Sequence, residues 1–158
     1  MTTRIALLLA CATAALVHGL GPLASAAQTP PPAILDALFD GKRTSLALEA
    51  LETRAALGAG ESQRVVEIGR DASSSHHVVA IRDRETPHRH DRHDLLVVIL
   101  EGHGAMRLGD DEKPVGQGSI LWVPRGTVHA FRNASDEPAV AYAVYVPAFD
   151  GEDRVTVE

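Results

Sequence analysis

The sequence holds one cysteine in 158 residues, Cys11, which excludes an intrachain disulfide framework and a cysteine-based zinc cluster. Aromatic residues make up 4% of the chain, too few for a platform on which nucleic-acid bases stack. Cations are outnumbered, 15 Lys and Arg against 21 Asp and Glu, and the net charge of −6 lacks the basic face of a nucleic-acid binder. No apolar run reaches the roughly 20 residues that a transmembrane helix needs. No phosphate loop or dinucleotide fingerprint is present, since Gly102-His103-Gly104 leads into a strand and no helix N-terminus follows. No Ser/His/Asp arrangement can be placed. What the chain has in excess is histidine, with eight residues. Without cysteine, a bound metal must be held by imidazole and carboxylate. The length fits one domain, able to bury roughly two-thirds of its unfolded surface.

Residues 1–26 have the layout of a secretory signal peptide. Arg4 gives a positive start, Ile5 to Val17 is an uncharged apolar run of 13 residues, and Ala24-Ser25-Ala26 is a cleavage site of the A-x-A kind. Leu8-Leu9-Ala10-Cys11 also fits a lipoprotein attachment signal, but Cys11 comes early and the apolar run continues past it. Ordinary cleavage is the expectation. The exported chain then has no cysteine, no membrane span, and a charge of −7 once Arg4 is lost.

Residues 27–32 form a proline-rich linker, with Gln28 to Pro32 extended. Residues 33–60 are expected to be helical. Ile34, Leu35 and Leu38 share one face of a first helix over 33–39, which Gly41 ends. Leu48, Leu51 and Ala55 line one side of a second over 45–57, stopped by Gly58-Ala59-Gly60. From residue 63 the pattern changes to short apolar runs separated by turn residues. Strands are expected over 64–68, 77–82, 95–100, 105–108, 119–123, 128–132 and 139–146, with Gly109-Asp110-Asp111 a hairpin turn and Pro124-Arg125-Gly126 a tight turn. Closely spaced strands without intervening helices specify an all-β antiparallel sandwich or barrel over 63–147. The helical segment packs outside it, and 148–158 is a C-terminal tail.

His88 and His90 are two apart. On a strand both rings face one side, roughly 6–7 Å apart, and can share a metal ion. His129 follows on another strand, after the Pro124-Arg125-Gly126 turn, and can close the site. His93 and Asp94 are within reach of further coordination. His76, His77 and His103 read as ordinary polar residues beside loops and turns.

These residues resemble the cupin superfamily, whose second motif, G-x5-P-x-G-x2-H-x3-N, is matched at every fixed position by Gly118, Pro124, Gly126, His129 and Asn133. The first motif, G-x5-H-x-H-x3–4-E-x6-G, is matched at His88, His90 and Gly102. The resemblance implies a small antiparallel β-barrel of the jelly-roll kind holding a divalent transition metal mainly through histidines. There are two departures. Arg82 stands where the first motif has its leading glycine, and Leu95 stands where the family has a metal-binding Glu. Asp94, helped by a β-bulge, or His93, two residues before Leu95, is available as the fourth ligand, with water the remaining alternative. The donor set suits Fe, Mn, Ni, Cu or Zn, and not Ca.

Val97, Ile99, Met106, Leu108, Leu121, Val123, Phe131, Tyr142, Val144 and Val146 are expected on the site-facing side, with Tyr142, Tyr145 and Trp122 as polar handles. No arginine is placed inward, which disfavours anionic substrates. Three functions compete: a metal-dependent oxygenase or isomerase acting on a small organic molecule, a non-catalytic metal- or small-ligand-binding protein of the periplasm or cell exterior, and a structural barrel whose site has decayed. The resemblance admits a homodimer.

Overall fold

The computed structural model describes residues 34–157. The expected signal peptide, Cys11 and the proline-rich linker lie outside the described residues. The first structural element corrects the sequence reading. Ile34–Phe39 is a strand, β1, paired antiparallel with β2, Lys42–Ala47. The segment L-D-A-L-F fits both a helical and an alternating period. The turn decides, because Asp40 and Gly41 both take positive φ, 48° and 77°, as a two-residue hairpin of the primed kind requires. Leu38, assigned to a helix's core face, is 67% exposed, and Phe39 is the buried anchor. The second helix is present but shorter, α1, Leu48–Ala55. Leu51 and Ala55 pack with Ile68, Val78, Ala80 and Val140 on the outer side of a sheet, where the sequence had put the helical segment.

The rest is a jelly-roll barrel of two five-stranded antiparallel sheets. After α1 come β3 (Gln63–Arg70), β4 (Ser75–Ile81), β5 (His88–Arg89), β6 (Asp94–Glu101), β7 (His103–Leu108), β8 (Asp111–Gly116), β9 (Ile120–Val123), β10 (His129–Asn133), β11 (Ala139–Val146) and β12 (Val155–Thr156). One sheet has the order β3-β4-β11-β6-β9 and the other β12-β5-β10-β7-β8. The expected tail therefore adds an edge strand, with Val155 opposite Arg89 and Thr156 opposite His88. Among the described residues no helix is long and apolar enough to cross a membrane.

The core between the sheets includes Val79, Ile81, Leu95, Met106, Val123 and Phe131. The phase of β11 is opposite to the expectation. Ala139, Ala141, Ala143 and Tyr145 face inward, whereas Tyr142 turns outward and bonds His76 Nδ1 through its hydroxyl at 2.6 Å. Both faces of this strand are apolar, so alternation alone gave no direction. The inward alanines leave room beside the site.

Candidate metal centre

The two cupin-like motifs converge where β5 meets β10. His129 lies directly across the ladder from His88, and His90 follows one residue beyond β5. The turn between β9 and β10 is tied to the same place, because the N–H of Gly126, at φ 78°, donates to His90 O at 2.7 Å. The ring centroids of His88 and His129 are 4.3 Å apart, His88 and His90 5.2 Å, and His90 and His129 5.4 Å. One ring nitrogen from each of the three can be chosen so that all lie within 4.8 Å of one another.

The far side of each ring shows what that cluster suits. His88 Nδ1 donates to Thr86 O at 2.9 Å, His129 Nδ1 to Thr127 O at 3.0 Å, and His90 Nδ1 to the backbone carbonyl of Asp153. A carbonyl only accepts, so all three protons sit on Nδ1 and all three Nε2 lone pairs are free. His90 Nε2 is buried with no hydrogen-bond partner, an arrangement that costs free energy unless something binds there. Burial holds all three imidazoles neutral. It pushes His88 down to about 3, with His129 and Arg154 adding to the effect, takes His129 to about 4, and lowers His90. Neutral imidazoles fixed from behind by carbonyls are the donor set of a transition-metal site.

The structure brings neither Asp94 nor His93 into this group. The extra residue that Asp94 needed is there, since β6 and β11 slip register between Ile99 and Glu101. It comes after the Leu95–Ile99 alternation, however, and leaves Asp94 on the outer side. There its carboxylate takes the backbone N–H of Arg125 at 2.8 Å and the Arg125 guanidinium at 2.8 Å, which hold it down at about 2. His93 does turn to the inner side and is buried, but both its nitrogens face oxygens: Nδ1 lies 2.5 Å from Asp153 Oδ2 and Nε2 3.3 Å from Ala148 O. Both nitrogens are thus turned toward Asp153 and Ala148, and His93 is not among the residues whose ring nitrogens cluster. Leu95 fills the vacated position and is 4% exposed. His77, His76 and His103 stay outside the cluster, as expected. Asn133, the last residue of the second motif, is structural: its Nδ2 donates to Arg82 O and Glu137 O, and its Oδ1 accepts from Ser135 N.

Beside the cluster lies a cavity of about 370 Å³. Val79, Val97, Ile99, Met106, Leu121 and Phe131 are among its apolar walls. Tyr145 lines it, with the phenol pushed up to about 12 mainly by burial, whereas Tyr142, Val144, Val146 and Trp122, expected as lining or handles, are not among its walls. Three polar contributors had escaped the sequence reading. Glu85 lines the cavity, with Oε2 on Phe131 N at 3.0 Å and Oε1 on Gln63 Nε2 at 3.2 Å, and burial raises its carboxyl above the usual range. Asp153 is 4% exposed and holds the 90–93 turn: Oδ1 accepts Asp91 N at 2.9 Å and Oδ2 accepts Arg92 N at 2.8 Å. Arg154 lines the cavity, with Nη2 3.3 Å from His88 Nδ1, correcting the expectation that no arginine comes inward.

A double-sheet barrel with histidines gathered from two motifs defines a class of small β-barrels whose histidine triad could hold a metal. The family model for the cupin domain matches residues 75–145, which hold both motifs. The chain belongs to the cupin superfamily. It is 36% identical over 101 residues to an uncharacterised protein of Aquifex aeolicus, covering 64% of this chain and 83% of that one. Among solved structures, an uncharacterised Klebsiella pneumoniae protein with a double-stranded β-helix domain superposes with a TM-score of 0.58 at 16% identity, over 67% of this chain and 93% of that one. The Streptomyces protein Pac13, described as a nucleoside dehydratase, gives 0.53 at 20% identity, over 61% and 79%. At these identities the structural likeness is one of fold.

Proposed function

We propose that this chain is an exported, metal-dependent cupin in which the Nε2 atoms of His88, His90 and His129 hold one divalent transition metal (Fe, Mn, Ni, Cu or Zn) and the adjoining cavity takes a small organic molecule. The observation that carries this reading is the set of three Nδ1–H donors turned onto backbone carbonyls, which leaves three Nε2 lone pairs free in a cluster whose ring nitrogens lie within 4.8 Å of one another. A metal bound there supplies Lewis-acid or oxygen-activating chemistry. The chain's own contributions are an apolar cavity that excludes water and orients the ligand, and the Tyr145 phenol as a hydrogen-bond donor on its wall. Oxygenase or isomerase turnover is the favoured reading. The fold shared with a dehydratase supports catalysis in a barrel of this form.

The alternative is a carrier that binds metal or ligand without turnover. It is favoured by Glu85, the one carboxylate among the described lining residues, whose oxygens already accept from Gln63 and the Phe131 N–H and so serve to tie strands together. Elemental analysis of the purified full chain, beside His90→Ala and His129→Ala, tests the metal. About one equivalent is expected in the unmutated protein and little in either variant. No stoichiometric metal after reconstitution would refute the reading. Oxygen uptake with small diketones, phenols and thiols then separates enzyme from carrier. Export predicts a mature N-terminus near Ala27 in the periplasmic or secreted fraction, read by N-terminal sequencing.

A further inference from the structure

The charges around the cavity do not balance. In the family pattern a carboxylate at the Leu95 position offsets part of the metal's charge, and here a leucine fills that place. Three neutral imidazoles offset nothing. Glu85 is the single acidic residue among the described lining residues, and its one negative charge offsets the Arg154 guanidinium at most, leaving the metal's charge uncompensated. Arg154 adds a second cation. Its Nη2 lies 3.3 Å from His88 Nδ1, but that nitrogen carries the proton given to Thr86 O and cannot accept another. The remaining contact, to Thr86 O at 3.5 Å, is at the limit of a hydrogen bond. Among the described residues no carboxylate lies within 4.0 Å of the Arg154 guanidinium. A divalent ion in an apolar cavity, where charge is poorly screened, leaves a deficit of negative charge, and the Arg154 guanidinium, exposed to solvent yet lining the cavity, is placed to bring a counter-charge in from outside the chain.

We infer that the ligand of this cavity is a small carboxylate with an apolar body, held by the Arg154 guanidinium on the His88 side of the site. The inference rests on the metal reading for half of its charge argument and on Arg154 for the other half. The guanidinium fork matches a carboxylate edge, and the row Ala139, Ala141 and Ala143 gives the apolar body its space. Arg154 is on this account a specificity-determining residue. It lies outside the residues matched by the family model, on the segment that also brings Asp153 to the histidines.

The test uses two probes of one shape and different charge, isobutyrate and isobutyramide, titrated calorimetrically into the full chain with and without Co(II). Isobutyrate should bind the loaded protein at least about tenfold more tightly than the amide, and Arg154→Gln should erase about tenfold of its affinity while leaving the amide unchanged, the scale of one charge-assisted hydrogen bond. Leu95→Glu, which restores the missing carboxylate, should weaken isobutyrate, while Leu95→Gln, of similar shape and no charge, should not. Equal affinity for the two probes, no detectable isobutyrate binding at millimolar concentration, or an Arg154→Gln preference equal to wild type would overturn the inference. Failure to load Co(II) would instead refute the metal reading. The isobutyrate preference, and its loss in the surface variant Arg154→Gln, would then be read on the metal-free chain.

Discussion

Replacing Asp153 with alanine should damage both stability and metal affinity, by amounts the structure sets. Its carboxylate accepts three donors: the N–H groups of Asp91 and Arg92, and His93 Nδ1. Asp91 and Arg92 are exposed and can turn to water, whereas His93 is buried and loses its partner outright. One buried hydrogen bond to a charged group is worth about 1.5–3 kcal/mol. The carboxyl's own titration agrees. Burial raises its pKa, but the His93 and backbone donors overcome this and hold it at about 2. Against an ordinary value near 3.9, that is about 2.5 kcal/mol at neutral pH. Because the folded value lies below the unfolded one, this stabilisation is present above about pH 4 and fades as the pH falls toward 2.

A loss of about 2–3 kcal/mol leaves a typical domain folded, so the second effect is measurable. With the segment released, the carbonyl that pins His90 Nδ1 is no longer fixed, and metal affinity should fall about 10–100-fold. Urea melts of the metal-free protein and competition of Co(II) against a chelator read the two effects separately. Asp153→Asn, which keeps one acceptor oxygen, should fall between wild type and alanine in both. If Asp153→Ala melts at the wild-type urea concentration, or melts earlier with unchanged Co(II) affinity, the positioning argument is wrong.

Acidification should destabilise the metal-free protein well before its carboxylates titrate. His88 and His129 hold folded values of about 3 and about 4 against an ordinary value near 6.5, so the unfolded chain binds more protons in between, and the urea midpoint should drop from about pH 6.5 toward 4. A flat midpoint over that range would contradict the neutral-imidazole assignment. Asp94→Asn should leave metal affinity unchanged, because the carboxylate serves Arg125 on the outer side; a lowered affinity in the chelator assay would return it to the ligand set. Gly69→Ala should cost about 1–3 kcal/mol in urea melts, since the added Cβ would sit 2.1 Å from Phe39 Cδ2. A neutral effect there would mean that Phe39 of the β1–β2 hairpin does not pack against Gly69 of β3.

The barrel and its three histidines were legible because each depends on short-range spacing. Gly118 through Asn133 specify a strand, a turn and a strand without reference to the rest of the chain, and His129 lands opposite His88 because that turn is fixed. Glu85, Asp153 and Arg154 were not legible. Asp153 reaches His90 across 63 residues, and Arg154 reaches His88 across 66, from a segment with no period of its own. The competition between Asp94 and His93 could not be settled by counting either, because it turns on where β6 slips register and on which residues occupy the two side chains. The β1–β2 hairpin was missed although its signal was present: Asp40-Gly41 between alternating apolar residues is a hairpin turn in its own right.

Strand β11 divides two jobs between its alternate residues. Tyr142 ties the outer face to His76, while Ala139, Ala141 and Ala143 contribute mostly the absence of bulk. The shape of the cavity is thus written in side chains that can grow without disturbing the ladder or the outward packing. Changes from alanine to valine or leucine along one row would trim the cavity stepwise. A lineage could pass from larger to smaller ligands through single codons, with the three imidazoles and the barrel that presents them left untouched.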